Sequence, residues 1–150
     1  RVGFPLAGRV AADRVVLAAA RRVHGHAHRV GAAVACPHRR VVNFQADGSA
    51  LYSTPALWCQ SREGLDVTTI ICKNDAYRIL DVERATQGLG SGGSQSKRLT
   101  DLSGPSIDWV SLARGYGVQG VSVKTAVDLR MALAESFRTP GPFLIEACLV

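Results

Sequence analysis

Apolar runs and polar turns alternate along the chain from residue 41 onward. Residues 41–46 and 67–72 are apolar and β-branched, with the length and composition of buried strands. Between them the pattern predicts a helix with Thr54 as its N-cap, Pro55 at its first position and Gly64 at its C-terminal stop. Two strands joined in this way form a βαβ unit, which places both strands in a parallel sheet.

The later segments continue the alternation of helix and strand. Helices are predicted over residues 76–86, 108–115 and 125–137, and strands over residues 118–123 and 143–150. Thr125, with Asp128 three positions on, has the pattern of a helix N-cap. Residues 88–93 match G-x-G-x-x-G, but a helix precedes them and residues 94–98 do not open an apolar helix, so the region 86–105 is expected to be a mobile loop.

Each of the two predicted central strands ends at a short polar turn. Asp47-Gly48-Ser49 follows the first strand, and Asn74-Asp75-Ala76-Tyr77 follows the second. Parallel strands bring their carboxyl ends to one edge, where open α/β sheets bind ligands, so we expect the two turns to be neighbours. Asp-Gly alone is ordinary turn chemistry. Two such turns in register instead favour a Mg²⁺ site built from oxygen donors, with free amides facing a phosphate.

These residues resemble a known motif. Asp47-Gly48-Ser49, followed 27 positions on by Asn74, is similar to the GDG(S)…NN motif of thiamine diphosphate-dependent enzymes. From about Gly31 to Val150 the chain resembles the acetolactate synthase-like and benzoylformate decarboxylase-like members of that family. The resemblance includes residues 46–71, 108–113 and 140–147. It implies a three-layer α/β/α fold with a mainly parallel sheet, the Rossmann-like thiamine diphosphate-binding fold.

The resemblance also implies a set of site residues. Mg²⁺ would be bound by the Asp47 carboxylate, the Asn74 amide oxygen and the Ala76 main-chain carbonyl. Thiamine diphosphate would be bound by a set of turn residues: Gly48, Ser49, Asn74, Ala76 and Tyr77. Two positions depart from the family pattern, because Ala46 replaces the first Gly and Lys73 replaces the first Asn. The lysine adds positive charge beside the cation unless its stem carries the ammonium outward.

The activity that the resemblance implies is decarboxylation and carboligation of 2-keto acids, as in acetolactate synthase. The alternatives are a 2-keto acid decarboxylase and a non-catalytic remnant that keeps the fold. In similar enzymes a Glu from a pyrimidine-binding domain activates the cofactor, so no catalytic acid or base is assigned in this chain. We expect that domain to come from another chain or from a missing N-terminal part, within a homo-oligomer, and we expect the chain alone to be inactive.

Composition and charge fit one soluble domain. The 150 residues are 47% hydrophobic, and Trp58, Trp109 and Phe143 are expected in the core. Residues 1–40 contain eight Arg and one Asp, whereas residues 41–150 contain ten Lys or Arg and eleven Asp or Glu. The net charge of +6 therefore does not predict nucleic-acid binding. No apolar run reaches the roughly 20 residues that span a bilayer, and a cytoplasmic location is expected.

Residues 1–30 form a lead segment that differs from the rest. It contains no Ser, Lys, Tyr or Trp and lacks a recognisable Gly-rich cofactor segment, so it is interpreted as divergent or as a frame-shifted stretch, with residues 31–150 as the cofactor-binding domain. An Arg-rich transit peptide is disfavoured by the missing Ser. The four His and four Cys show no zinc-site spacing and do not imply disulfides.

Overall fold

The computed structural model describes residues 15–19, 25–90 and 92–149. Within these ranges, five parallel strands form one sheet in the order β1-β2-β3-β5-β4. The strands are β1 (Val15–Ala19), β2 (Arg40–Ala46), β3 (Val67–Lys73), β4 (Gln119–Val123) and β5 (Phe143–Cys148). Nearly every residue of β3 and β5 is buried, as in parallel strands that are covered on both faces. The predicted α/β class with a mainly parallel sheet is confirmed.

Seven helices and a 3₁₀ turn at Leu51–Ser53 accompany the strands in the described ranges. The helices are α1 (Gly25–Ala35), α2 (Asp47–Ala50), α3 (Pro55–Arg62), α4 (Arg78–Thr86), α5 (Ser94–Thr100), α6 (Trp109–Gly115) and α7 (Ala126–Arg138). None of them is long and apolar enough to cross a membrane.

Two apolar clusters lie on opposite faces of the sheet. Ile71 belongs to a cluster with Leu57 of α3 and Trp109 of α6, whereas Ile70 belongs to a cluster with Ala132 of α7. Successive residues of a strand point to opposite faces, so these helices cover the two sides of β3. The predicted three-layer α/β/α arrangement is therefore present.

The two ends of α3 differ in how they form. At the C-terminus, Gly64 has φ +59, and the Leu65 N–H donates to the Gln60 carbonyl at 2.9 Å, which is a Schellman ending. At the N-terminus, Thr54 has helical backbone angles and its side chain makes no capping bond, because the chain enters from the 3₁₀ turn already helical. The predicted Gly64 stop is confirmed, and the predicted Thr54 N-cap is wrong.

Of the three aromatic side chains expected in the core, two are buried and one is exposed. Trp109 and Phe143 are 0% and 4% exposed, so their predicted burial is confirmed. Trp58 is 49% exposed, and the Arg62 guanidinium lies 4.8 Å from the centre of its ring. The buried face of α3 is occupied by Leu57, and the next residue of a helix points about 100° away from it. The prediction of a buried Trp58 is therefore wrong.

Helix α5 lies within the region 86–105, where a mobile loop was expected. Leu99, the one leucine of α5, is 79% exposed, so the helix has no buried apolar stripe that a sequence pattern could reveal. Contacts with the preceding segment hold it. The Tyr77 N–H donates to the Thr100 carbonyl at 2.8 Å, and Arg84 donates to the Ser96 hydroxyl. By contrast, α7 begins as predicted, because the Asp128 N–H donates to Thr125 Oγ1 at 3.1 Å.

A largely buried arginine connects several segments at the amino-terminal edge of the sheet. Arg40 of β2, whose side chain is 10% exposed, pairs with Asp66 at 3.0 Å. It also donates to the Thr139 carbonyl at 2.6 Å, to the Gly141 carbonyl at 3.3 Å and to Thr68 Oγ1 at 3.2 Å. Burial lowers the pKa of Arg40, and Asp66 opposes that effect. Arg40 therefore ties the turn between α7 and β5 to the start of the sheet.

Candidate functional site

The two polar turns lie side by side at the carboxyl-terminal edge of the sheet. β2 and β3 pair in parallel up to Ala46 opposite Cys72, so Asp47 and Asn74 emerge from neighbouring strand ends. The chain turns directly into α2 after β2, whereas the second turn runs from Asn74 to Tyr77 before α4 begins. The sequence-based expectation that these turns are neighbours is confirmed.

Asp47 joins the two turns through its carboxylate. The side chain is buried, with the residue 1% exposed. Its Oδ2 accepts hydrogen bonds from the N–H groups of Asn74 and Asp75 at 2.9 and 2.7 Å, and its Oδ1 accepts one from Gly48 N–H at 2.8 Å. Three backbone donors thus provide hydrogen-bond partners for both oxygens of a buried carboxylate. The Gly48 amide is therefore not free to face a phosphate, which corrects that expectation.

The second turn is shaped by a left-handed residue. Asp75 has φ +52, a conformation that Asp tolerates better than most side chains. Asn74 Oδ1 accepts a hydrogen bond from the Ala76 N–H at 3.0 Å, which closes an Asx turn. Ala76 forms an antiparallel bridge with Asp101 whose hydrogen bonds use the Asp75 carbonyl and the Tyr77 N–H. In such a non-hydrogen-bonded pair the Ala76 carbonyl points away from the partner segment.

Gly48 lies under the ring of Tyr77. A Cβ on Gly48 would come within 2.6 Å of Tyr77 Cδ1, so glycine permits the close approach of the two turns. Burial raises the pKa of Tyr77, and Tyr52 and Asp47 add smaller effects in the same direction. Ser49 points backward, since its hydroxyl donates to the Ala46 carbonyl at 2.9 Å and accepts from Gln45 Nε2 at 2.9 Å.

Sequence reasoning singled out Lys73 beside the second turn but missed its ion-pair partners. Lys73 Nζ is 3.9 Å from Asp75 Oδ1 and 3.8 Å from Glu146 Oε2, and the lysine side chain is 13% exposed. The ammonium is thus turned inward between two carboxylates and is not carried outward to solvent. Strand alternation places Lys73 and Glu146 on one face of the sheet, but the pairing of β3 with β5, which brings them together, was not readable from the sequence.

A groove of about 790 Å³ opens next to Ala76, between α4 and α5. Its charged lining residues are Asp81, Arg84, Lys97, Arg98 and Asp101. The pKa of the Asp101 carboxyl lies below its ordinary value, because the Ser103 hydroxyl and N–H donate to it. The groove therefore brings charged side chains close to the second turn.

The donor set at this edge suits a hard divalent cation rather than a transition metal. Within residues 15–19, 25–90 and 92–149, no three His, Cys, Asp or Glu side chains are grouped as a metal site. Cys72, the nearest thiol along β3, has its pKa raised by burial and secondarily by Asp47, which disfavours the thiolate that binds soft metals. The oxygens available are one carboxylate, one amide and one backbone carbonyl, which are ligands that Mg²⁺ accepts.

Known proteins share this fold and sequence. Residues 24–147 match the family described as thiamine pyrophosphate enzyme, C-terminal TPP binding domain. The putative acetolactate synthase large subunit IlvX of Mycobacterium tuberculosis is 43% identical over 141 residues, which cover 93% of this chain and 27% of that protein. Benzoylformate decarboxylase of Pseudomonas aeruginosa is 33% identical over 117 residues, covering 78% of this chain and 21% of that enzyme.

A solved structure gives the same result. The thiamine diphosphate-dependent 4-hydroxybenzoylformate decarboxylase of Rhodococcus jostii RHA1 superposes with a TM-score of 0.74 at 35% identity, over 83% of this chain and 22% of that one. The chain thus spans only 20–27% of the length of the first curated relatives it matches. The resemblance stated from the motif is confirmed, and the chain belongs to the thiamine pyrophosphate enzyme family, as a C-terminal TPP-binding domain similar to those of acetolactate synthases and benzoylformate decarboxylases.

Proposed function

We propose that the carboxyl-terminal edge of this sheet binds the diphosphate of thiamine diphosphate through Mg²⁺. The metal ligands in this proposal are the Asp47 carboxylate, the Asn74 amide oxygen and the Ala76 carbonyl. Gly48, Ser49 and Tyr77 line the cofactor side of the same turns. The observation that carries the proposal is the buried Asp47 carboxylate, which accepts hydrogen bonds from both turns and so fixes their separation.

Each proposed ligand oxygen retains capacity for a cation. Asp47 Oδ1 and Asn74 Oδ1 each accept one backbone hydrogen bond, and an sp² oxygen has two lone pairs. The Ala76 carbonyl faces away from the bridge with Asp101. Tyr77 covers Gly48 and limits the space above it, so a phosphate would approach beside the ring.

The cofactor itself, when bound, supplies the carbanion chemistry by which 2-keto acids are decarboxylated. This chain's residues would hold the diphosphate and the metal and exclude water around them. We propose an acetolactate synthase-like transferase activity, decarboxylation followed by carboligation, for the whole enzyme. The similarity to a benzoylformate decarboxylase and to a 4-hydroxybenzoylformate decarboxylase supports a 2-keto acid decarboxylase, a lyase, as the second candidate.

The whole enzyme requires more than this chain in our proposal. We propose that a pyrimidine-binding domain, from a partner chain in a homo-oligomer or from another part of a longer protein, completes the site in the cytoplasm. The 150 residues alone would then form no acetolactate or aldehyde from pyruvate, because general acid–base help of the missing kind contributes about 10²–10⁴-fold to rate. We also propose that residues 1–30 are a divergent lead segment and residues 31–150 the cofactor-binding domain, with α1 crossing this boundary.

Calorimetry with thiamine diphosphate tests the assignment. We expect binding in the presence of Mg²⁺ and none in excess chelator, because the metal bridges the diphosphate to Asp47 and Asn74. Equal binding in chelator would overturn the metal assignment. Absence of binding under both conditions would favour a non-catalytic remnant that keeps the fold but not the cofactor. A pyruvate turnover assay on the same samples tests whether the chain alone is inactive.

A further inference from the structure

Lys73 lies directly before the second turn, and its ammonium lies between the carboxylates of Asp75 and Glu146. Its ammonium is 3.8 Å from Glu146 and 3.9 Å from Asp75, which is ion-pair distance without a direct hydrogen bond. The side chain is 13% exposed, so it is largely shielded from the water and salt that weaken surface pairs. The position of this cation is therefore coupled to both carboxylates.

Glu146 is the fixed partner. Its Oε2 accepts the Trp109 N–H at 3.1 Å, and its Oε1 accepts the Ser122 hydroxyl at 2.8 Å. These bonds connect β5 to the first residue of α6 and to β4. With a side chain 8% exposed, Glu146 forms a rigid anchor inside the sheet layer.

Asp75 is the partner whose position matters for the site. It lies between Asn74 and Ala76 in a left-handed conformation that its surroundings must hold in place. Its carboxylate accepts the Ser106 hydroxyl at 3.0 Å and faces Lys73. The backbone angles of Asp75 decide where the two neighbouring oxygens point.

We propose that Lys73 is a positioning residue for this turn. Its ammonium holds the Asp75 carboxylate against the Glu146 anchor and so keeps Asn74 Oδ1 and the Ala76 carbonyl in place. The inference rests on the proposed function in so far as those two oxygens bind the metal. It gives the lysine that departs from the family pattern a definite role at the site.

Repulsion between Lys73 and the metal does not cancel this role. Asp75 and Glu146 outnumber the lysine, so the three groups together carry one negative charge. Mg²⁺ bound at the neighbouring oxygens would therefore meet a group of net negative charge and not a lone ammonium. The attraction of the two carboxylates offsets the repulsion from Lys73, and the effect of the lysine on the geometry of the turn decides.

Hydrogen exchange of the free 150-residue chain tests the positioning without any cofactor. In Lys73→Met the amides of Asn74 and Asp75 should exchange about tenfold faster, while amides in the middle of β3 keep their rates. Lys73→Arg should restore protection. Lys124 offers a matched control, since it is exposed and directly follows β4 as Lys73 ends β3. Lys124→Met should leave both sets of amides unchanged.

Affinity for thiamine diphosphate at saturating Mg²⁺ gives the second readout. We expect Lys73→Met to raise the Kd about tenfold and Lys73→Arg by less than about threefold, with Lys124→Met unchanged. A Met variant within twofold of the wild type in both exchange and Kd would overturn the inference. If the wild type binds no cofactor, the proposed function fails, and the exchange rates still decide the role of Lys73. Should Lys73→Met not fold, Lys73→Asn is measured by the same criteria.

Discussion

The two edges of this sheet both carry charged side chains that are at least partly buried, but they balance the charge differently. At the amino-terminal edge, Arg40 and Asp66 neutralise each other, and the guanidinium also reaches two backbone carbonyls within 3.3 Å. At the carboxyl-terminal edge, the Lys73 ammonium is 3.9 Å from Asp75 and 3.8 Å from Glu146, and Asp47 lies in the neighbouring turn. The Arg40–Asp66 pair is neutral, whereas Asp47, Asp75, Glu146 and Lys73 together carry two negative charges.

This difference separates a structural cluster from the proposed binding site. An arginine fork that is hydrogen-bonded to its own protein has little left to offer a ligand. Excess negative charge at a shielded strand edge is costly unless something compensates it, and a divalent cation has the required charge. Variants at the two edges should therefore affect different measurements. Amino-edge variants should change folding stability, and carboxyl-edge variants should change cofactor affinity.

The largest effect is expected from Asp47→Ala. It removes the proposed charged ligand and leaves three backbone N–H groups without their acceptor, so the Kd for thiamine diphosphate with Mg²⁺ should rise by about 100-fold or more. Asn74→Ala removes a neutral ligand and should cost about tenfold. Calorimetry of both variants checks the order, with Glu63→Ala as control, since Glu63 is exposed and lies outside the groove and the two turns. A larger loss in Asn74→Ala than in Asp47→Ala would mean that the carboxylate does not bind the metal.

Arg40→Met should affect stability without affecting the site. The substitution keeps an apolar stem but removes hydrogen bonds to Asp66, Thr139, Gly141 and Thr68, so the free energy of unfolding should fall by roughly 2–4 kcal/mol. Denaturant unfolding measures that loss. In the folded variant the Kd for thiamine diphosphate should stay within about twofold of the wild type. A large rise in Kd would show that the two edges are energetically coupled, and the separation of stability from affinity would be wrong.

Sequence reasoning reached the site because its parts are local. Asp47 follows one strand and Asn74 follows the next strand along the chain, so parallel pairing alone predicted that they meet, and hydrogen bonds at 2.9 and 2.7 Å link their turns. The Gly64 stop and the Thr125 cap are local in the same sense. Each depends on backbone angles or bonds within a few residues.

The features that sequence reasoning missed depend on long-range pairing or on helix phase. Lys73 meets Glu146 only because β3 pairs with β5, two strands separated by 69 residues of chain from Lys73 to Phe143. Trp58 was expected in the core because it is a large aromatic residue, yet Leu57 occupies the buried face of α3. α5 has no buried apolar residue and so gives no periodic signal.

Gly48→Ala tests the close contact between the two turns and should lower the free energy of unfolding. The added methyl would lie 2.6 Å from Tyr77 Cδ1, so the ring must move, at a cost of about 1–3 kcal/mol in the free energy of unfolding. The cost should shrink in a Tyr77→Ala background, where the clash is absent. Gly31→Ala is the matched control, because its Cβ meets nothing within 4 Å and alanine favours the helix. An equal cost of Gly48→Ala in both backgrounds would show that the clash is not with Tyr77.

The smallest effect is expected at Asp108, the N-cap of α6, which begins beside the Glu146 anchor. The Ser111 hydroxyl and N–H donate to its carboxylate at 2.6 and 2.8 Å, and these bonds lower its pKa, with a minor contribution from Lys73. Because the folded pKa lies below the unfolded value, the cap stabilises the protein fully above about pH 4 and less as pH falls through the folded pKa. Asp108→Ala should therefore lower the denaturation midpoint at pH 7, and the gap to the wild type should narrow below about pH 4. Denaturant unfolding of both proteins between pH 7 and pH 2 measures the gap. A gap that stays constant over this range would mean that the cap does not depend on the ionised carboxylate.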